Sequence, residues 1–204
     1  MSSAPLQTDS MLARSQYFIR EHVGVLKLSN TYDILDPESH TVIGVAKEEI
    51  SPLIHVMRFL IHKRILPTQV NVYEGDDPQT GQLLFSIKRG LTFMRARVDV
   101  VDARGELVGW FKSKLFSVGG GFRVYSRDDV EVAEVKGDWK GWNFKFLLGG
   151  KEIGCVTKKW SGLGKELFTT ADSYMISLNG ESNAGQSVLL LAAGLAIDTI
   201  FKEN

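Results

Sequence analysis

The chain has 204 residues, 44% of them apolar and 24% charged, which is enough to bury one domain core and too apolar for a disordered segment. Lys and Arg number 24, as do Asp and Glu, so no global field draws the chain to nucleic acid or an anionic membrane; such binding has to come from a local patch. Cys155 is the only cysteine, which excludes an intrachain disulfide and fits a reducing compartment.

Residues 1–16 read as an N-terminal arm, helical or mobile, ahead of a single domain over 17–204. The opening Met-Ser-Ser-Ala-Pro-Leu-Gln has no basic and apolar signal-peptide run. Ser2 stands where myristoylation requires glycine, and Lys202-Glu203-Asn204 offers no cysteine to prenylate. Cytoplasmic residence is the expectation.

From about Gly24 the sequence repeats one unit, two short alternating segments around a polar turn. The first is Thr31 to Leu35 and Val42 to Ala46 around Asp36-Pro37-Glu38-Ser39. A different pattern follows, Ser51 to Arg64, with Ser51 as helix cap and Pro52 at the first helical position. On a helical wheel His55, Arg58 and His62 share a narrow face, apolar residues fill the rest, and Lys63 and Arg64 add charge at the C-terminal end. Such a helix lies in a membrane interface or packs over a barrel mouth.

The second hairpin joins Gln69–Tyr73 to Leu83–Lys88, and the third Val98–Val101 to Leu107–Phe111 around Ala103-Arg104-Gly105. The third has two registers. A two-residue turn sets Arg97 opposite Lys112 and Arg95 opposite Lys114, which costs stability unless an anion bridges the cations. A three-residue loop separates these pairs onto opposite faces and aligns Val98, Val100, Val108 and Trp110. The second register is favoured. The fourth hairpin joins Phe122–Tyr125 to Val130–Val135 around Arg127-Asp128-Asp129, and the fifth Trp142–Leu147 to Glu152–Val156 around Gly149-Gly150.

This spacing predicts a sandwich or closed antiparallel barrel of about twelve strands, mainly β, closure removing the edges that aggregate. The last element is a helix over about 186–201, apolar almost all round, which must be buried on every side. At 1.5 Å per residue it spans about 21 Å, suited to a barrel interior and short of a bilayer core of about 30 Å, so no transmembrane span is expected.

No catalytic constellation is legible. His22, His40, His55 and His62 are scattered, and His55 and His62 lie about two turns apart, too far to chelate one ion. Gly162-Leu-Gly-Lys165-Glu166 lacks the glycine spacing and the Ser/Thr of a phosphate loop. Cys155 sits in an apolar strand away from any base. Neither a catalytic residue, a metal ligand nor a cofactor is expected.

The stretch Ile153-Gly154-Cys-Val-Thr-Lys-Lys159-Trp160-Ser-Gly162 to Glu166-Leu-Phe168-Thr169-Thr-Ala171-Asp172, with Leu191-Ala-Ala-Gly-Leu-Ala-Ile197-Asp198-Thr-Ile-Phe201, resembles the phospholipid scramblase family. Asn30-Thr-Tyr32-Asp-Ile34 and the hairpins follow the same order, so the likeness covers nearly everything after Tyr17. The resemblance implies the tubby-like superfamily, with its scramblase-related and LURP-one-related members: a twelve-stranded barrel around a C-terminal helix, at the cytoplasmic face of membranes. It also implies calcium-triggered lipid movement, but Thr170 stands where the family's calcium segment begins with Asp, leaving Asp172 and Glu181, too few for the six to eight oxygens calcium takes.

The expectation is thus a non-enzymatic, scramblase-related protein, peripheral on a cytoplasmic membrane surface, that binds anionic phospholipids or phosphoinositides and no nucleic acid. Arg58, Lys63 and Arg64 are the expected contacts, with Arg95 and Arg97 beside them. The rival is a soluble interaction or regulatory module that never meets lipid. Phospholipid scrambling is a third reading, and an enzyme at the barrel mouth a fourth for which no residues can be named.

Overall fold

A computed structural model describes residues 11–22, 30–50, 66–90, 97–113, 121–138, 141–158, 173–179 and 184–201. It contains β1 (Gln16–Glu21), β2 (Thr31–Leu35), β3 (Val42–Glu49), β4 (Thr68–Glu74), β5 (Gln82–Arg89), β6 (Arg97–Asp102), β7 (Leu107–Ser113), β8 (Gly121–Ser126), β9 (Glu131–Asp138), β10 (Asn143–Leu148), β11 (Lys151–Thr157) and β12 (Ser173–Leu178). Each strand pairs antiparallel with its neighbours in sequence, and β1 pairs with β12, so the sheet closes. The five hairpins read from the sequence are β2–β3, β4–β5, β6–β7, β8–β9 and β10–β11.

The pair that closes the barrel is the one with the weakest alternation. All six residues of β12 are buried, so it reads as a continuous apolar run rather than as apolar-in and polar-out. Tyr17 and Ile19 of β1 point inward, while Phe18 packs with Leu35 and Met175 in a second cluster on the other face. Ahead of β1, a 3-10 turn at Met11–Ala13 buries Met11 and Leu12.

Inside the barrel runs α1 (Ala184–Ala196), continued by a π-helical turn at Ile197–Phe201. Every residue from Ser187 to Ala196 is buried, against β5, β7, β8, β9 and β12. Burying a Leu fully is worth about 1.5–3 kcal/mol, and Leu189, Leu190, Leu191 and Leu195 are all at 2% exposure or less. Helix and wall approach too closely for large residues on both sides. A Cβ on Gly194 of the helix would lie 3.0 Å from Ile176 Cγ1, and one on Gly109 of β7 would lie 2.7 Å from Leu189 Cδ2.

One irregularity recurs in all five hairpins. The second strand carries one residue more than its partner, at Ile43, Leu84, Val108, Val132 and Ile153. Each extra residue is apolar, and in four hairpins a glycine or alanine follows it: Gly44, Gly109, Ala133 and Gly154. A bulge turns the strand and re-aims its side chains. Here it adds an apolar side chain to the core margin near the tight turns, and the small residue after it lets the strand come close to what it covers.

Strand direction sorts the connections onto two rims. Residues 36–41, 75–81, 103–106, 127–130 and 149–150 make short turns on one. The connections between Glu21 and Thr31, Glu49 and Thr68, Arg89 and Arg97, Ser113 and Gly121, Asp138 and Asn143, and Thr157 and Ser173 join strand ends on the other.

Replacing Leu191 by Ala is expected to cost about 2–5 kcal/mol of stability in urea denaturation, and Gly109→Val at least about 1–3 kcal/mol through overpacking. Val130→Ala, at a site 62% exposed, should stay within about 0.5 kcal/mol.

Candidate functional site

The two rims differ in charge, and the second carries the longest connections, those between Glu21 and Thr31, Glu49 and Thr68, and Thr157 and Ser173. Three of the five short turns are acidic, with Asp36 and Glu38 in the first, Asp76 and Asp77 in the second, and Asp128 and Asp129 beside Arg127 in the fourth, while Arg104 and Glu106 balance in the third and the fifth is Gly149-Gly150. Because the chain is neutral as a whole, this excess is matched by a basic excess elsewhere. Among the described residues the cations Arg20, Lys47, Lys88, Arg97, Lys112, Arg123 and Lys158 lie towards the long-connection ends of their strands, where Glu21, Glu48, Glu49 and Asp138 also lie, and the connections between those ends add Arg58, Lys63, Arg64, Arg95, Lys114 and Lys140 in sequence. Long connections on a rigid scaffold are where binding residues concentrate.

The best-defined part of this end is the outer wall over β6, β7 and β8. Arg97 is opposite Lys112, and Lys112 is opposite Arg123, so three cations form one row on adjacent strands. This overturns the favoured sequence reading of the third hairpin, in which those pairs separate. The loop is indeed the three-residue one, since Asp102 and Glu106 are joined by the amide of Asp102 donating to the carbonyl of Glu106 at 2.9 Å. The bulge at Val108 then shifts the ladder by one residue, putting Val98 and Phe111 inward and Trp110 outward.

The next row down is aromatic. Trp110 stacks on Tyr125 with ring centroids 4.4 Å apart, and its Nε1 donates to Asp129 Oδ1 at 2.9 Å. The Arg97 guanidinium lies 4.6 Å over the Trp110 ring and donates to Asp99 Oδ1 at 2.6 Å. Arg123 lies against Tyr125 and is paired with Glu131 at 3.4 Å. Lys112, exposed between the two arginines, has no ion-pair partner among the described residues.

Of the expected contacts, Arg97 is thus exposed in a row of cations. Arg58, Lys63, Arg64 and Arg95 lie outside the described residues, as do the helix expected over 51–64, His55, His62 and Gly162 to Glu166. The strands that flank 51–65 and 91–96 end on the long-connection rim. Sequence reasoning missed Arg123 and the Trp110–Tyr125 platform, because both depend on cross-strand register rather than on spacing along the chain.

The interior at the same end is polar. Asp198, on the π-helical turn, is buried and faces the hydroxyls of Tyr32 and Tyr174, with Glu21 nearby. Burial, and then the negative charge of Asp198, push both phenols well above the ordinary tyrosine range. Trp142 closes over Tyr174 at 5.3 Å, and Lys158 Nζ sits 4.5 Å over the Trp142 ring.

Other reactive side chains are dispersed among the described residues. His22 Nε2 lies 2.5 Å from Asp33 Oδ1 and Arg20 donates to Asp33 Oδ2 at 2.8 Å, whereas His40 belongs to a short turn on the opposite rim. Burial raises the Cys155 thiol, so little thiolate forms near neutrality. No group of three or more His, Cys, Asp or Glu is placed to hold a metal ion among the described residues, and no described helix is long and apolar enough to cross a membrane.

In comparison with known proteins, the family model described as Scramblase matches residues 6–204. No curated protein matches, and no solved structure does.

Tyr17, Tyr32 and Tyr174 all have their ionisation raised chiefly by burial. Above about pH 10 the unfolded chain releases protons that the folded chain keeps, so stability falls as pH rises. These phenols should therefore ionise, by absorbance at 295 nm, only as near-ultraviolet circular dichroism is lost. Ionisation of all tyrosines ahead of that loss would contradict the buried placement.

Proposed function

On the premise that the chain belongs to the Scramblase family, we propose that it is a non-enzymatic peripheral membrane protein that binds anionic phospholipid with its long-connection rim, at the cytoplasmic face. The observation that carries this reading is the axial separation of charge, with acidic short turns at one end of the barrel and, joining the strand ends at the other, connections whose sequence carries Arg58, Lys63, Arg64, Arg95, Lys114 and Lys140. A neutral chain arranged this way is attracted to an anionic surface in one orientation and repelled in the reverse.

The sequence of the long connections fits the same surface. Residues 51–65 combine Arg58, Lys63 and Arg64 with Leu53, Ile54, Val56, Met57, Phe59, Leu60 and Ile61, and residues 91–96 combine Arg95 with Leu91, Phe93 and Met94. Basic residues attract the headgroups, and apolar ones bury in the acyl boundary. Arg97 begins the strand that follows the second of these connections.

Flotation of the full chain with phosphatidylserine vesicles tests the proposal. Each Lys or Arg near an anionic membrane contributes about 1 kcal/mol, so the triple variant Arg58→Glu, Lys63→Glu, Arg64→Glu is expected to bind at least about a hundredfold more weakly. Wild-type binding should also weaken as salt is raised. Equal recovery of wild type and variant would favour the rival, a soluble interaction module that does not use lipid.

A further inference from the structure

We infer that the row Arg97, Lys112 and Arg123 is a binding site for the phosphomonoester group of a lipid headgroup; this deepens the proposed membrane role and rests on it. Three observations lead there. The first is that the row exists at all. Side chains directly opposite on neighbouring strands stand about 5 Å apart, and like charges so placed cost stability. The three-residue loop at 103–105 would by itself set Arg97 and Lys112 out of line, and the bulge at Val108 brings them back into register. A local distortion of the ladder therefore sets Lys112 between two arginines that have carboxylate partners of their own, and an added anion would relieve the repulsion on Lys112.

The second is preorganisation. Arg97 is pinned between the Trp110 ring at 4.6 Å and Asp99 at 2.6 Å, and Trp110 is itself fixed by stacking on Tyr125 and by its bond to Asp129. Arg123 is held by Tyr125 and Glu131. Both guanidiniums are ordered before a ligand arrives, which lowers the entropic cost of binding.

The third is charge. Asp99 and Glu131 each answer one arginine, Glu134 stands opposite Arg123 on β9 and pairs with Lys136 at 2.9 Å, and Lys112 between the arginines has no ion-pair partner among the described residues. Three cationic donors in a line match a terminal phosphate, whose three free oxygens can accept from each in turn. A phosphodiester such as that of phosphatidylserine offers two. The row lies on the outer wall, towards the rim proposed to meet the membrane, so the phosphate is taken from a lipid headgroup.

The test is binding of the full chain to phosphatidylcholine vesicles carrying phosphatidic acid, a phosphomonoester, or phosphatidylserine at equal surface charge. Wild type should prefer phosphatidic acid, and Lys112→Met should lower that preference about tenfold, the worth of one hydrogen bond to a charged group, while phosphatidylserine binding loses only the general attraction of one cation to the surface, about fivefold. Arg97→Lys keeps the charge, loses the planar fork over Trp110 and should also lower the preference. Equal losses on both lipids would overturn the site and leave the rim proposal standing, whereas no binding of wild type to either vesicle would remove both. Binding of inorganic phosphate without vesicles, as tight as that of phosphatidic acid and abolished by Lys112→Met, would overturn the lipid source. Far-ultraviolet circular dichroism of each variant separates misfolding from loss of the site.

Discussion

The structure depends on one constraint, that a helix apolar on every face has to be surrounded. Ser187 to Ala196 has no side that water would tolerate, and a single layer of sheet or a pair of helices would leave part of it exposed. A closed barrel covers the helix all round and at the same time satisfies the hydrogen bonds of every strand edge. Small residues set the fit between the two. Gly194 on the helix and Gly109 on the wall stand where side chains from the other partner already occupy the space.

The five bulged hairpins follow from the same need. A barrel of twelve strands must bend around its contents, and bulges supply bending and twist at defined places. Each bulge here also directs one more apolar side chain to the margin of the core near the short-turn rim. Between β6 and β7 the bulge has a further effect on the outer surface. It aligns Arg97 with Lys112 and turns Trp110 outwards onto Tyr125. Core packing and surface chemistry are linked through one backbone irregularity.

The barrel separates roles along its axis. Short turns, three of the five acidic and held by bonds such as those of Asp36 and Asp102 to the backbone amides that follow them, close one end. At the other end lie the long connections, the cationic row and the buried Tyr32–Tyr174–Asp198 group. A neutral formal charge conceals this polarity because composition sums over both ends.

Much of the fold was legible in the sequence, since the signals that make it are local. Turn residues such as Asp36-Pro37 and Gly149-Gly150 bracket the hairpins, alternation identifies most of the strands, and the unbroken apolar run after Ser187 requires burial. The closing strands were harder to read, because β12 is buried on both faces and β1 has apolar neighbours at Tyr17, Phe18 and Ile19, so alternation fades. Of the candidate site, the sequence supplied the residue types, Arg97 among them, and the basic character of 51–64. Only the tertiary structure decided which cations stand side by side, because a one-residue bulge at Val108 changes every cross-strand neighbour beyond it and leaves no mark on periodicity that distinguishes it from an ordinary strand position.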